Sequence, residues 1–284
     1  MIRILGPVCI ETAGVERAPA SVMVRGALTA LSLDPGTGMS QTRLLELLWD
    51  EPPASANANL RQYVSRLRKE LLVAGRGVLS GRRAGRLGVS YQLDAPDCEV
   101  DHRCFAELVR TGRRLLDTGY SVESERVLGR ALALWRGPAG VDAAGSARLR
   151  RHLAAFDTLW LQCREDLAEA ALYAGPCAQA VLRARSVIAD HPLRERPWAV
   201  LMAAHHSCGE LSEALAAYQE FRRLLRAELG VEPSRNLASL QSAVLNRSAI
   251  AVQSLLAAIR TADLHAALHS AGGSPLGTRS VTTV

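Results

Sequence analysis

Ala58-Asn-Leu-Arg-Gln-Tyr-Val-Ser-Arg-Leu-Arg-Lys-Glu-Leu71 carries two kinds of side chain at helical spacing. Leu60, Val64, Leu67 and Leu71 recur at i, i+4, i+7 and i+11, one apolar seam about 60° wide. Away from that seam lie Gln62, Ser65, Arg66 and Lys69, with Asn59 and Arg61 on the flanks nearer the helix start. All of these can donate hydrogen bonds to phosphate oxygens, and Arg, Asn and Gln can also make paired contacts with base edges. A solvated basic face has the same composition, so the neighbourhood has to decide between the two. Residues 53–93 hold eight basic side chains (Arg61, Arg66, Arg68, Lys69, Arg76, Arg82, Arg83, Arg86) and one acid, Glu70. That is +7 in a chain whose total is +6, so all the rest sums to −1. Charge gathered this tightly is the footprint of a polyanion-binding element.

The surrounding residues predict how such a helix is held. Ile2–Leu5 and Val8–Ile10, with Gly6-Pro7 and Ala13-Gly14 between and after them, predict two or three short antiparallel strands. A helix follows over Val24–Leu33, although Gly26 costs it up to about 1 kcal/mol relative to alanine. Ser40 is placed to cap a second helix running to Trp49, with Leu44, Leu45, Leu47 and Leu48 on its buried side. Pro52-Pro53 interrupts the chain, Ser55 can cap the basic helix, and Gly75 and Gly77 close it. Val78-Leu79 and Val89–Leu93 then bracket Ser80–Gly88, a hairpin with an arginine-rich tip that includes Arg82, Arg83 and Arg86. Strands, three helices and a basic hairpin are the order of a winged helix-turn-helix, with the third helix in the major groove and the hairpin as the wing.

Other chemistries find little support. No GxSxG, HExxH, GxxxxGK[ST] or close acid pair in an apolar setting occurs, so neither catalysis nor ATP control is expected, and no cofactor. Six cysteines (Cys9, Cys98, Cys104, Cys163, Cys177, Cys208) are scattered without a CxxC pair and are expected to be reduced thiols, mostly small core hydrophobes. His205-His206-Ser-Cys208 and the His265/His269 pair each lack a second ligand pair, so no metal site is expected. Met1 opens no export signal and no run of about 18 apolar residues occurs, so a cytoplasmic, nucleoid-associated protein without a membrane span is expected. Lys69 is the only lysine, which leaves phosphate contacts to arginine forks.

After Ala95–Val100 the composition changes. Helices are predicted at 102–117, 122–135, 145–174, 177–190, 194–208, 211–229 and 234–246, separated by Gly and Pro. Gly175 and Gly209 lie 34 apart, as do Ala180 and Ala214, a tetratricopeptide-like period. Trp135, Trp160, Trp198, Tyr173 and Tyr218 read as packing residues within these helices. Residues 248–269 continue as an amphipathic helix, and Ser270–Val284 reads as a disordered tail. The predicted fold is therefore mainly α. An N-terminal winged helix-turn-helix with a small β-sheet spans 1–95, a tetratricopeptide-like helical array spans 96–247, and a terminal helix and tail span 248–284. A fragment ending near Asp94 is expected to keep some DNA affinity and to lose activation, because residues beyond 95 show no concentrated basic cluster.

Leu47-Leu-Trp-Asp-Glu-Pro-Pro-Ala-Ser55 and Gln62-Tyr-Val-Ser-Arg-Leu-Arg68 resemble the OmpR-type DNA-binding domain of the Streptomyces antibiotic regulatory protein family. Val100-Asp101 with Phe105, Ala131–Pro138, His191–Arg196, Glu213–Tyr218 and Leu229–Pro233 are similar to that family's bacterial transcriptional activation domain. The likeness runs over roughly residues 1–247 in the family's order. It departs at Ser90-Tyr91, where the family usually has Gly-Tyr, and in a longer, more basic wing tip. The resemblance implies an activator of a secondary-metabolite gene cluster. Such a protein binds direct repeats near the promoter −35 region as side-by-side protomers and recruits RNA polymerase holoenzyme with its sigma factor. The residues themselves leave open a repressor, or a ligand-sensing regulator with the helical array as sensor. A protein-interaction scaffold fits the concentrated positive charge poorly.

Overall fold

The computed structural model describes residues 1–33, 38–75, 78–83, 89–96 and 99–270. Three strands open the chain: β1 (Ile2–Arg3), β2 (Cys9–Thr12) and β3 (Val15–Arg17), an antiparallel sheet in that order. Ala13 (φ 50°) and Gly14 (φ 78°) join Thr12 to its partner Val15. A two-residue loop with both φ positive matches the right-handed twist of the strands it connects. Next come α1 (Val22–Leu33), β4 (Met39–Ser40), α2 (Gln41–Leu48), α3 (Ala56–Ala74), β5 (Val78–Arg83) and β6 (Val89–Asp94). The second sheet has the order β4-β6-β5, with Met39 opposite Tyr91 and Gly81 opposite Tyr91 from the other side. Strand β4 is absent from the sequence prediction. Two residues carry no alternation, and only β6 makes them a strand.

The array predicted for the remainder is present as α4 (Asp101–Asp117), α5 (Ser121–Leu132), α6 (Ala147–Ala174), α7 (Cys177–Asp190), α8 (Glu195–Ser207), α9 (Leu211–Leu229), α10 (Arg235–Leu245) and α11 (Ala249–Ser270). Mainly helical, with a winged helix-turn-helix and small antiparallel sheets, the molecule has the predicted class. The tail from 271 lies outside the described residues.

Packing divides the chain inside α6, into Met1–Ala170 and Ala171–Val284. In the first unit the winged helix shares its core with α4, α5 and the loop before α6. Asp101, fully buried, is the clearest tie: the Ile4 N–H donates to both carboxylate oxygens at 2.9 Å and the Leu5 N–H to one at 3.0 Å. The loop after α5 adds backbone bonds, from the Arg136 N–H to the Leu5 carbonyl (2.9 Å), Ala144 to Val22 (2.9 Å) and Ser146 to Leu47 (2.9 Å). Gly26, a cost in the isolated helix, has its reason here. A Cβ at this position would overlap the Ala144 carbonyl oxygen, so the loop requires glycine on α1. Phe105, Trp135 and Trp160 form a row with ring centroids 5.8 Å and 5.4 Å apart.

In the second unit, Ala180 and Ala184 of α7 and Ala199, Ala203 and Ala204 of α8 are fully buried, so these backbones approach closely. Trp198 stacks on Phe221 of α9 at 5.5 Å. Tyr218 is buried, whereas Tyr173 is exposed and departs from the packing role expected of it. The cysteine reading needs a larger correction. Cys177 and Cys208 form a disulfide, their Cα atoms 5.8 Å apart, because the packing of α7 on α8 brings the start of one beside the end of the other. Cys9 and Cys163 are buried thiols as expected, and Cys104 is half-buried. Cys98 lies outside the described residues.

Candidate nucleic-acid interface

The seam of α3 is buried as its spacing requires: Leu60, Val64, Leu67 and Leu71 are each at most 1% exposed. Burying four such side chains contributes on the order of 1.5–3 kcal/mol each, enough to fix which face turns outward. That outward face consists of Arg61, Gln62, Ser65, Arg66 and Lys69, all exposed. Glu70, the single acid of the stretch, is half-buried beside the seam. Burial raises its carboxyl pKa, opposed by the Ala20 backbone N–H and the Arg66 charge. The outward face therefore holds no acid.

The two ends of α3 are held differently from the sequence expectation. The Ser55 hydroxyl makes no capping bond to a helix amide. It accepts instead from the Asn59 side-chain amide at 3.1 Å, which leaves Asn59 half-buried and oriented along the helix start. At the other end Gly75 adopts the left-handed conformation (φ 60°) and its N–H returns to the Leu71 and Leu72 carbonyls. Ser40 does cap α2, accepting from the Arg43 N–H at 3.2 Å. The Gln41 side-chain amide donates to Asn57 Oδ1 at 2.5 Å, which sets the first turn of α2 beside the first turn of α3. Trp49 stacks on Tyr63 at 6.2 Å and closes the turn between these helices.

Arg68, part of the basic cluster but not of that outward face, has a structural task. Its Nε donates to the Leu79 carbonyl at 2.8 Å and fastens β5 to α3. A Cβ on Gly81 would stand 2.9 Å from Arg68 Nη2, so glycine leaves room for that guanidinium. Strand β5 continues to Arg83, pairing Arg82 with Ser90 and Arg83 with Val89, so both belong to the strand rather than the hairpin tip. Arg82 is exposed. The Arg83 side chain and Arg86 lie outside what the structure describes, so the wing is represented here by Arg82 alone. The structure thus brings Arg61, Gln62, Ser65, Arg66 and Lys69 to one face, with Asn59 at its edge.

No group of three or more His, Cys, Asp or Glu among the described residues could hold a metal ion. Of the histidine–cysteine stretch, Cys208 is in the disulfide and His205 Nδ1 lies 2.6 Å from Glu210 Oε2. No described helix is long and apolar enough to cross a membrane.

Residues 100–245 match the bacterial transcriptional activator domain family. Regulatory protein DnrI of Streptomyces peucetius is 32% identical over 248 residues, 86% of this chain and 91% of that protein. Transcriptional regulator RedD of Streptomyces coelicolor is 34% identical over 252 residues, 86% of this chain and 70% of that one. Regulatory protein AfsR of Streptomyces coelicolor is 34% identical over 99% of this chain but only 28% of its own length. The structure of Mycobacterium tuberculosis EmbR, solved in complex with a low-affinity phosphopeptide, superposes with a TM-score of 0.78 at 27% identity, over 93% of this chain and 69% of that one. Taken with the winged helix and the helical array, these likenesses show that the chain belongs to the Streptomyces antibiotic regulatory protein family of transcriptional activators, with a bacterial transcriptional activator domain.

Proposed function

We propose that the chain activates a secondary-metabolite biosynthetic gene cluster by binding promoter DNA in a sequence-specific way. The observation that carries this reading is the acid-free outward face of α3, backed by a fully buried seam. Arg66 and Gln62 are assigned to base edges. Ser65, Lys69 and Arg61 are assigned to phosphates, with Asn59 at the helix start available to either. Arg82, Arg83 and Arg86 of the wing reach the backbone or the adjacent minor groove. Direct repeats near the −35 region, side-by-side protomers and recruitment of RNA polymerase holoenzyme through its sigma factor follow from the family. The extended surfaces of a helical array suit such a protein partner.

The test begins with selection from a randomised duplex pool, which yields the cognate sequence. Arg66→Ala is then expected to lose about 1–3 kcal/mol on the selected duplex and little on a scrambled one, measured by fluorescence anisotropy. An equal loss on both would reduce Arg66 to a phosphate contact, and a pool that yields no preferred sequence would refute specific recognition.

A further inference from the structure

Beyond residue 95, where no concentrated basic cluster was expected, Arg148, Arg150 and Arg151 stand within four positions of one another, and packing adds Arg43 to them. Arg43, in the first turn of α2, reaches the second turn of α6, where its Nη2 lies 3.5 Å from His152 Nε2. Arg148, Arg150 and Arg151 stand on the same stretch of α6, all exposed. Against these four arginines are two acids: Glu46, 2.6 Å from Arg148 and 3.9 Å from Arg43, and Asp50, 3.5 Å from Arg150. Glu46 sits in the second turn of α2 and Asp50 just beyond the end of that helix, so four arginines face two acids and the excess positive charge falls to Arg43 and Arg151. The His152 imidazole records that field, its pKa lowered by partial burial and then by Arg43, Arg148 and Arg151.

We propose that Arg43, Arg148 and Arg151 form a second phosphate-binding patch, through which α6 of the helical array grips the DNA backbone flanking the site read by α3. The inference rests on the reading of α3 given above and deepens it. Two observations favour a nucleic-acid backbone over an acidic protein. The patch is continuous with α3, because Gln41, in the same turn as Arg43, is hydrogen-bonded to Asn57 at the α3 start. In helix-turn-helix proteins the first of the two helices is the one that crosses the backbone. In addition, the exposed residues from 147 to 155 other than the arginines and His152 are all alanines, Ala147, Ala154 and Ala155. A protein interface of any strength needs aromatic or bulky apolar anchors, which this patch lacks, whereas guanidinium forks match phosphate oxygens.

The experiment compares wild type with Arg151→Gln and with Arg148→Gln/Arg151→Gln on two forms of the duplex recovered by selection, one with long flanks and one trimmed to the recognised site. Arg151 is exposed with no ion pair among the described residues, so its replacement leaves the fold intact, checked by thermal unfolding. On the long duplex the slope of log K against log salt should flatten by about 0.9 for each phosphate no longer neutralised. On the trimmed duplex wild type and variants should coincide, and Arg151→Lys should keep most of the wild-type slope. Equal slopes for wild type and variants on the long duplex overturn the patch alone. Normal DNA binding with loss of in vitro transcription also overturns it, moving these arginines to a polymerase contact. A wild-type protein that binds selected and scrambled duplexes alike overturns the α3 reading and the patch with it.

Discussion

Asp101→Ala is the substitution that should most damage the first compact unit. Asp101 has no solvent exposure and accepts from the Ile4 and Leu5 amides, both of which belong to fully buried residues. Alanine leaves two backbone donors without an acceptor and without access for water. Each orphaned donor costs about 1–3 kcal/mol, or about 2–6 kcal/mol for the pair. Part of this is offset, because burial raises the Asp101 carboxyl pKa above its ordinary 3.8, opposed by the Ile4, Leu5 and His102 amides. A raised pKa means the charged form is itself penalised in the folded state, and deleting it removes that penalty. The net loss is therefore expected in the lower half of the range, about 2–4 kcal/mol. Asp101→Asn keeps one carbonyl acceptor and no charge, so it should lose about half as much. Urea unfolding followed by tryptophan fluorescence reads the difference. The sign of the pH dependence gives a second check. The folded state binds this proton more tightly than the unfolded chain, so the stability contributed by Asp101 is greatest below pH 3.8. It falls as pH rises through the raised value. Wild type should thus lose stability relative to Asp101→Asn across the weakly acidic range. An alanine variant as stable as wild type would refute the role given to Asp101. Stability that instead rose with pH relative to the asparagine variant would refute the burial argument.

Residues 1–170 should fold and melt cooperatively by circular dichroism. A fragment ending near Asp94, expected from sequence to keep some DNA affinity, should instead fail to melt cooperatively and bind weakly, because it strands the Ile4 and Leu5 amides and the Val22 and Leu47 carbonyls; a cooperative melt of that fragment would contradict this. Neutralising Arg82, Arg83 and Arg86 together should flatten the salt dependence of DNA binding by about 0.9 per phosphate released, and an unchanged slope would leave the wing in solvent. Reducing the Cys177–Cys208 bridge, which spans a sequence separation of 31, should lower the stability of the second unit by about 3–4 kcal/mol. The Cys177→Ser/Cys208→Ser variant should unfold identically with and without reductant; a wild-type melting temperature indifferent to reductant would show that the bridge contributes nothing.

Where local periodicity decides structure, the amino-acid order was sufficient. The i, i+4, i+7, i+11 spacing of Leu60, Val64, Leu67 and Leu71 settled which side of α3 is buried, and therefore that Gln62, Ser65, Arg66 and Lys69 face out. The Ser40 cap, the stop at Gly75 and the helices beyond 100 were legible for the same reason, since each depends on residues within one or two turns. Contacts between distant residues were not legible. Asp101 stood in the sequence only as part of a family-like motif just before a predicted helix, yet its partners are the Ile4 and Leu5 amides, 97 and 96 residues away. Gly26 looked like a defect until the Ala144 carbonyl was placed against it, and Cys177 and Cys208 looked like two unrelated thiols until α7 packed on α8. Arg148, Arg150 and Arg151 were close together in the sequence all along, but Arg43 joined them only when packing set it beside His152, 109 positions away in the chain. Charge and burial are properties of surfaces, and a surface assembled from two elements exists only after tertiary packing has brought them together.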